Sequence, residues 1–211
     1  MPSLSIKPAQ SRRTQTERRE TAERKITEAA TRLIADKGLS GLTLAAAGEM
    51  AGYSRGIASH HFGKKNELLI SVINHIASRF NSNLKEKTDI CDGLDMVYAV
   101  IDQYFWGVSN DSHITLAFQL IISEGMTNKA LQPFISNMNE HAIKNLTLHI
   151  EHAINKEEIR TDLDPQQQAT ILIASLRGMM TLWLTDKKSI HLKSIKKEFI
   201  NNLENNWLTS T

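Results

Sequence analysis

Residues 42–69, LTLAAAGEMAGYSRGIASHHFGKKNELL, decide the fold of this chain. Thr43 precedes a short run of helix-forming residues that ends at Gly52, and a hydroxyl residue in this place caps a helix start. Ser54 stands in the same relation to a second short run, which ends at Phe62. Two helices of about two turns, joined by a short turn that contains glycine, form a helix-turn-helix. The stretch therefore predicts this motif.

The second predicted helix presents polar side chains that are suited to DNA. Arg55, Ser59 and His60 can hydrogen-bond base edges in a major groove, and we predict that they are the base-reading residues. Gly56 leaves no side chain near the helix start, so the backbone can approach a phosphate closely. The unpaired N–H groups and the positive dipole end at that start also favour an anion.

Lys64 and Lys65 open a longer predicted helix that has no strong N-cap. Positive charges at a helix start oppose its dipole, at a cost of roughly a few tenths of a kcal/mol each. A bound phosphate would remove this conflict, so Lys65 is predicted to contact the DNA backbone. The full set of predicted phosphate contacts is Thr43, Ser54, Gly56, His61 and Lys65.

A third helix must support the pair, because two short helices are too small to stay folded alone. From about Thr21, apolar residues recur at the spacing of one helix face, and Gly38 ends the helix. Those apolar residues are Ile26, Ala29, Ala30, Leu33 and Ile34. Residues 1–20 lack this periodicity and contain four arginines. They are predicted to be a flexible basic arm that either follows DNA into a minor groove or is a solvated tail.

Charge is unevenly distributed along the 211 residues, although the whole chain carries only +2. Residues 1–88 hold 15 Lys and Arg against 8 Asp and Glu, and residues 89–211 hold 10 against 15. This pattern indicates a polyanionic partner at the N-terminal end, although chance clustering of solvated charge produces it too.

Composition bounds the class of protein. The few Pro and Gly residues and the scarcity of strand-like alternation predict an all-α fold. There is no apolar run of the roughly 18 residues that a membrane span needs and no apolar signal segment at the N-terminus. Cys91 is the single cysteine, so no disulfide framework can form within the chain. We expect a cytoplasmic protein with no membrane association.

Residues 26–69 resemble the DNA-binding region of TetR-family transcriptional regulators. The shared features are Gly38, Thr43, Ala51-Gly52, Ser54, Gly56, His61-Phe62, Lys65 and Leu68. The segment GIASHHF at residues 56–62 is most similar to the choline- and betaine-responsive repressors of that family. The segment RTDLDP at residues 160–165, with LRG at 176–178 and Trp183, is loosely similar to the same subgroup.

Some residues depart from the family pattern. The family usually carries a β-branched aliphatic residue where this chain has Tyr53, and larger apolar residues at Ala47 and Ala58. One bulky residue among reduced neighbours conserves core volume, so Tyr53 is predicted to pack toward those two alanines. Ser59 stands where the family often has a tyrosine that contacts phosphate.

The resemblance implies a ligand-responsive repressor that binds a near-palindromic operator in double-stranded DNA as a homodimer and is released by a small-molecule inducer. It also implies that the last two helices of each subunit form the dimer interface. The long apolar stripes after Asp164 and Ser189 agree with this, because one small body is not expected to bury both. The predicted organisation is an arm at residues 1–20, a DNA-binding domain at 21–65 and a helical ligand-binding and dimerisation domain at 66–211.

Aromatic and polar residues of the second half are candidates for binding the inducer. They are Tyr104, Trp106, Phe118, Glu124, Asn145, His149 and Trp183. If the subgroup resemblance holds, the aromatics form a cage for a quaternary ammonium through cation–π attraction, with Glu124 as counter-charge. Otherwise, aromatics at this spacing are ordinary core residues.

No metal site, cofactor or catalytic set is predicted. His60 and His61 point about 100° apart on a helix and cannot chelate one ion well. His141, His149 and His152 share a helix face but have no cysteine or carboxylate at ligand spacing. No nucleophile or phosphate-loop motif is present, so an enzyme is not expected. The competing hypothesis is a helical ligand-binding or protein-interaction module whose DNA binding is incidental.

Overall fold

The computed structural model describes residues 14–88 and 92–209, with the backbone alone at residues 85–88. Arg12 and Arg13 of the predicted arm, Cys91 and most of the predicted linker at residues 89–93 lie outside the described residues. The described part is helical and contains no strand, as predicted. Its helices are α1 Gln15–Lys37, α2 Leu44–Met50, α3 Arg55–Phe62, α4 Lys65–Thr88, α5 Leu94–Asn110, α6 Ser112–Glu124, α7 Gln132–Asn155, α8 Pro165–Thr185 and α9 Leu192–Trp207.

Helix α1 begins six residues before the predicted boundary at Thr21, so the expected arm over residues 15–20 is wrong. The Thr14 hydroxyl accepts a hydrogen bond from the Glu17 N–H at 3.2 Å, and the Glu17 carboxylate accepts one from the Thr14 N–H at 2.8 Å. This capping box stabilises the helix start. The residues of the first turns are all exposed, so they have no apolar periodicity that a search for buried faces would detect.

The predicted helix-turn-helix is present as α2 and α3. The Thr43 hydroxyl caps α2 by accepting from the Ala46 N–H at 3.0 Å, whereas the Ser54 hydroxyl makes no cap hydrogen bond on α3. Gly52 has φ of 81° and makes the turn. A Cβ on Gly48 would lie 3.1 Å from the Ser54 carbonyl oxygen. Gly48, which the sequence analysis missed, therefore allows the two helices to approach closely.

The first apolar core joins α1 to α4 with parts of α6 and α7. It includes Ile26, Leu33 and Ile34 of α1, Ala47 of α2, Ala58 of α3, Leu68 and Val72 of α4, Ala117 and Ile121 of α6, and Ile135 of α7. Tyr53 is half-buried and packs against this same core. Packing is thus continuous across the predicted domain boundary at residue 65, because α6 lies against α1.

The second core lies among α5, α7, α8 and α9. It includes Val97, Ile101 and Phe105 of α5, Leu146 and Ile150 of α7, Leu172 and Leu176 of α8, and Leu203 and Trp207 of α9. Phe80 and Leu84, near the end of α4, pack against it. Helix α4 therefore connects the two cores. Among the helices that the structure describes, none combines the length and apolarity needed to cross a membrane.

Candidate DNA-binding surface and ligand cavity

One face of the helix-turn-helix is open to solvent. Arg55, Gly56, Ser59 and His60 of α3 are all exposed. Thr43 and Ser54, which precede α2 and α3, are exposed as well. The structure thus brings six of the eight predicted DNA-binding residues to the accessible side of the motif. We call these six residues the α3 surface.

Arg55 is paired within the chain. Its guanidinium donates a hydrogen bond to the Glu49 carboxylate of α2, and this carboxylate raises the pKa of Arg55 above its ordinary value. Both side chains are largely exposed, so water and salt screen the pair and little free energy holds it together. Arg55 can therefore exchange this partner for DNA.

His61 is not part of the α3 surface. Its Nδ1 lies 3.2 Å from a Glu23 carboxylate oxygen of α1, and only 9% of its side chain is exposed. Hydrogen bonds from Arg19 and then His61 lower the pKa of Glu23. Residues three apart share a helix face, so His61 points to the same side as the fully buried Ala58. This spacing was available in the sequence and would have excluded His61 as an outward contact.

Lys65 is also turned inward. Its ammonium donates to the Leu39 carbonyl oxygen at 2.5 Å, which ties the start of α4 to the chain just after α1. The neighbouring Lys64 is exposed at the same helix start. At this helix start the structure therefore leaves the side chain of Lys64, and not that of the predicted Lys65, free to meet solvent.

A cavity of about 760 Å³ lies among helices α4 to α8. This volume is in the range of pockets that enclose small molecules. Trp106, Phe134 and Leu148 line it while remaining 45–47% exposed, so the cavity is open to solvent beside them. Five of the predicted ligand-binding residues line it, namely Tyr104, Trp106, Phe118, Asn145 and His149.

Glu124 and Trp183 do not line the cavity, so they are not brought together with the other candidates. The Glu124 carboxylate accepts from the Asn128 amide at 3.3 Å at the end of α6. The Trp183 ring lies 4.7 Å from the Lys187 ammonium and packs against the second core. Sequence spacing placed both residues near helical apolar faces but did not define which side of each helix meets the cavity.

Arg177 of α8 is a cavity residue that the sequence analysis missed. Its guanidinium lies 5.6 Å from the centre of the Phe118 ring, and its Nη1 donates to the Asn139 side-chain oxygen at 2.5 Å. Its Nε is buried and has no hydrogen-bond partner among the described residues. The signal in the sequence was a lone arginine inside the long apolar stripe of α8.

Beside the cavity, a carboxylate meets the histidines of α7. Asp92 Oδ1 lies 3.2 Å from His149 Nδ1 and 2.8 Å from His152 Nδ1, and Asp92 Oδ2 lies 3.3 Å from the Lys156 ammonium. Hydrogen bonds, foremost that from His152, hold the pKa of Asp92 well below its usual range. The statement that these histidines lack a nearby carboxylate is therefore wrong, since three potential metal-ligating atoms lie within 4.8 Å of one another. The contacts of Asp92 with the two histidines and Lys156 join α7 to the segment just before α5.

An exposed helix-turn-helix, joined by one long helix to a helical body with an open cavity, defines a DNA-binding transcriptional regulator with a ligand-binding domain. The comparisons with known proteins agree with this class. Residues 26–72 match the family model of bacterial regulatory proteins, tetR family. This match covers the helix-turn-helix and its flanking helices, which are therefore similar to the DNA-binding region of TetR-family transcriptional regulators.

Two relatives and one solved structure are similar to this chain. The chain is 26% identical over 188 residues to the HTH-type transcriptional regulator TtgR of Pseudomonas putida, covering 86% of this chain and 88% of TtgR. It is 41% identical over 58 residues to the HTH-type transcriptional regulator BetI of Burkholderia thailandensis, covering 28% and 30%. A transcriptional regulator from Saccharomonospora viridis, in complex with choline, matches with a TM-score of 0.80 at 19% identity and covers 90% of this chain and 100% of that one. At 19% identity, the similarity to the Saccharomonospora viridis structure shows a shared fold.

Proposed function

We propose that this protein is a ligand-responsive repressor that binds a near-palindromic operator as a homodimer and releases it when a small molecule occupies the cavity. The observation that carries the proposal is the course of α4. This helix starts directly after α3 and, from Ile73 to Leu84, lines the cavity. A change in the cavity therefore has a direct mechanical route to the α3 surface. The proposal also places the protein in the cytoplasm, where its DNA operator lies.

The proposed DNA contacts follow from which side chains are exposed. Arg55, Ser59 and His60 contact base edges, with Arg55 leaving Glu49 as it does so. The phosphate contacts come from Thr43, Ser54, the backbone at Gly56 and, in place of Lys65, the exposed Lys64. His61 and Lys65 act indirectly, because they hold α3 and α4 against the α1 segment.

A second copy of the chain is proposed to cover an exposed apolar stripe on α8. Ile171 and Leu182 are 57% and 60% exposed, and the exposed Gly178 lies between them with nothing within 4 Å of the place of its Cβ. Spacings of seven and four residues keep all three on one helix face. A twofold dimer through this stripe presents two α3 surfaces about one DNA turn, roughly 34 Å, apart.

Helix α6 is proposed to act together with α4 in the response. Its residues Ile114, Thr115 and Phe118 line the cavity, while Ala117 and Ile121 are fully buried in the core that contains α1. A ligand that moves α6 therefore also changes the support of the helix-turn-helix. The inducer must bind the DNA-incompetent arrangement more tightly than the competent one, since otherwise it shifts nothing.

The inducer class suggested by the subgroup resemblance is a quaternary ammonium. It is favoured by the partial match to BetI and by the choline in the Saccharomonospora viridis structure. The cavity of this chain does not contain the predicted counter-charge Glu124, and Tyr104 packs edge-on against Phe80 at 5.0 Å between ring centres. The absence of Glu124 from the lining favours another ligand class.

The experiment that tests the regulator proposal is fluorescence anisotropy of the full chain on a duplex from upstream of its own gene. We expect binding that weakens steeply with salt and exceeds binding to a scrambled duplex. Arg55→Ala should cost roughly 1–3 kcal/mol on the upstream duplex and little on the scrambled one. Equal binding to both duplexes by the unmodified protein would favour the alternative, an interaction module whose basic end meets DNA incidentally.

A further inference from the structure

We infer that the cavity binds an amphipathic anion, a molecule with an apolar body and one carboxylate-like head group, and that Arg177 binds the head group. The inference rests on the proposed ligand-responsive function and names the ligand class of that site. It replaces the quaternary ammonium that the sequence resemblance suggested. The balance of charge around the cavity supports this ligand class.

The described residues that line the cavity include a single carboxylate, Asp111. It is already paired, because Arg79 Nη2 lies 2.7 Å from Asp111 Oδ2. Asp92, beside the cavity, is held by His149, His152 and Lys156. A cationic ligand would therefore enter a site whose one lining carboxylate is already paired with Arg79, beside an Asp92 that already contacts Lys156 and two histidines.

Arg177 is in the opposite situation. Among the described residues it makes no salt bridge, and its contacts are the neutral Asn139 oxygen and the face of the Phe118 ring. Its Nε is buried without a partner. Arg177 is half-buried, and burying part of a guanidinium without an anion is unfavourable. A guanidinium forms its strongest hydrogen bonds, often two in parallel, with a carboxylate. A ligand carboxylate at Arg177 would supply the missing charge and an acceptor for Nε.

The rest of the cavity suits an apolar body. Its lining side chains near Arg177 include Phe118, Met138, Ile173 and Met180. Flexible methionine side chains adapt to ligands of irregular shape, and the opening beside Trp106 admits a chain from solvent. Medium-chain fatty acids and aryl-alkyl acids share this chemistry.

The position of Arg177 also links the head group to the DNA-binding side. The Arg177 guanidinium faces Phe118 of α6. The backbone carbonyl oxygen of Arg177 accepts a hydrogen bond from the Gln119 side-chain amide at 3.3 Å. The next turn of α6 carries Ile121, which is fully buried in the first core. A ligand carboxylate that draws Arg177 toward itself therefore shifts the contacts of Arg177 with α6, the helix that supports α1.

The test compares three probes with the same ten-carbon chain and different heads: decanoate, decanol and decyltrimethylammonium. Isothermal titration calorimetry of the full chain should show at least tenfold tighter binding of decanoate than of the other two, because charge-assisted hydrogen bonds are the strongest available there. Arg177→Gln should abolish this preference, so that decanoate and decanol bind with similar affinity. Arg177→Lys should keep the preference at lower affinity. Arg32→Gln, which removes an exposed arginine of α1 that does not line the cavity, should keep it fully.

Several outcomes would overturn the inference. They are binding of decyltrimethylammonium as tight as that of decanoate, retention of decanoate preference in Arg177→Gln, and binding of none of the three probes at millimolar concentration. If Arg177→Gln does not fold, as circular dichroism would reveal, the probe series on the unmodified protein and Arg177→Lys decides. DNA anisotropy is measured in parallel. Specific operator binding without decanoate preference would leave the regulator proposal standing and remove only the ligand class.

Discussion

No contact within the chain explains why residue 56 is a glycine. A Cβ placed there would have no atom within 4 Å, and glycine in a helix costs about 1 kcal/mol relative to alanine. If the backbone of α3 approaches a phosphate at this point, Gly56→Ala should stabilise the free protein by up to about 1 kcal/mol while weakening operator binding. Urea unfolding and fluorescence anisotropy measure the two effects. Stabilisation without any loss of DNA affinity would remove Gly56 from the proposed contacts.

The neighbours Lys64 and Lys65 form a matched pair in which one side chain is exposed and the other is bonded to the Leu39 carbonyl. Lys64→Ala should reduce the slope of log affinity against log salt by about one unit, as expected when one phosphate contact is lost. Lys65→Ala should leave that slope unchanged and cost about 1 kcal/mol of folding stability through the lost hydrogen bond. Salt titrations and urea melts separate the two variants. A flattened slope in Lys65→Ala would restore the assignment made from sequence.

At the scale of the helix, the sequence was informative wherever a local rule determines the structure. Apolar spacing and the cap at Thr43 predicted the helices. The Asp164 carboxylate likewise caps α8 by accepting from the Gln167 N–H at 2.9 Å. Which helices pack together depends on contacts far apart in the chain. The packing of α6 on α1 and the absence of Glu124 from the cavity therefore could not be derived from periodicity. The sequence marked Arg177 only as a lone arginine in an apolar stripe, since its contacts come from α6 and α7.

One contact between helices gives a pH-dependent prediction. The Tyr98 hydroxyl of α5 donates to the Glu204 carboxylate of α9 at 3.0 Å. Burial, and then this carboxylate, raise the pKa of Tyr98 to about 12. Because an unfolded tyrosine loses its proton near pH 10, the stabilisation is complete below that pH and is lost as pH rises toward 12.

The comparison of wild type with Tyr98→Phe isolates this effect from the titration of lysines. The difference in unfolding free energy between the two proteins should be constant from pH 7 to 9 and shrink steadily between pH 10 and 12. Urea unfolding followed by circular dichroism at each pH measures it. A difference that does not change with pH would mean that the hydroxyl is not bonded to Glu204 in solution.

For the whole molecule, the proposed function requires two copies, and the stripe of Ile171, Gly178 and Leu182 is the surface proposed to join them. Leu182→Glu should convert the dimer to monomers, because a buried unpaired charge in a twofold interface is strongly unfavourable. The monomer should keep its helical content, since Leu182 is 60% exposed and contributes little to the fold of one chain. Sedimentation velocity at micromolar concentration measures the association state.

Met126→Glu provides the matched control for this prediction. Met126 follows α6, away from the stripe, and is 75% exposed, so the added charge should leave the dimer intact. The loss of the dimer in Leu182→Glu should also remove the tight binding of a two-half-site duplex while leaving weak binding of a single half-site, because the α3 surface of each subunit is unchanged. If Leu182→Glu still sediments as a dimer, the subunits associate elsewhere, and the geometry that places two α3 surfaces on one face of DNA must be rebuilt from that other contact.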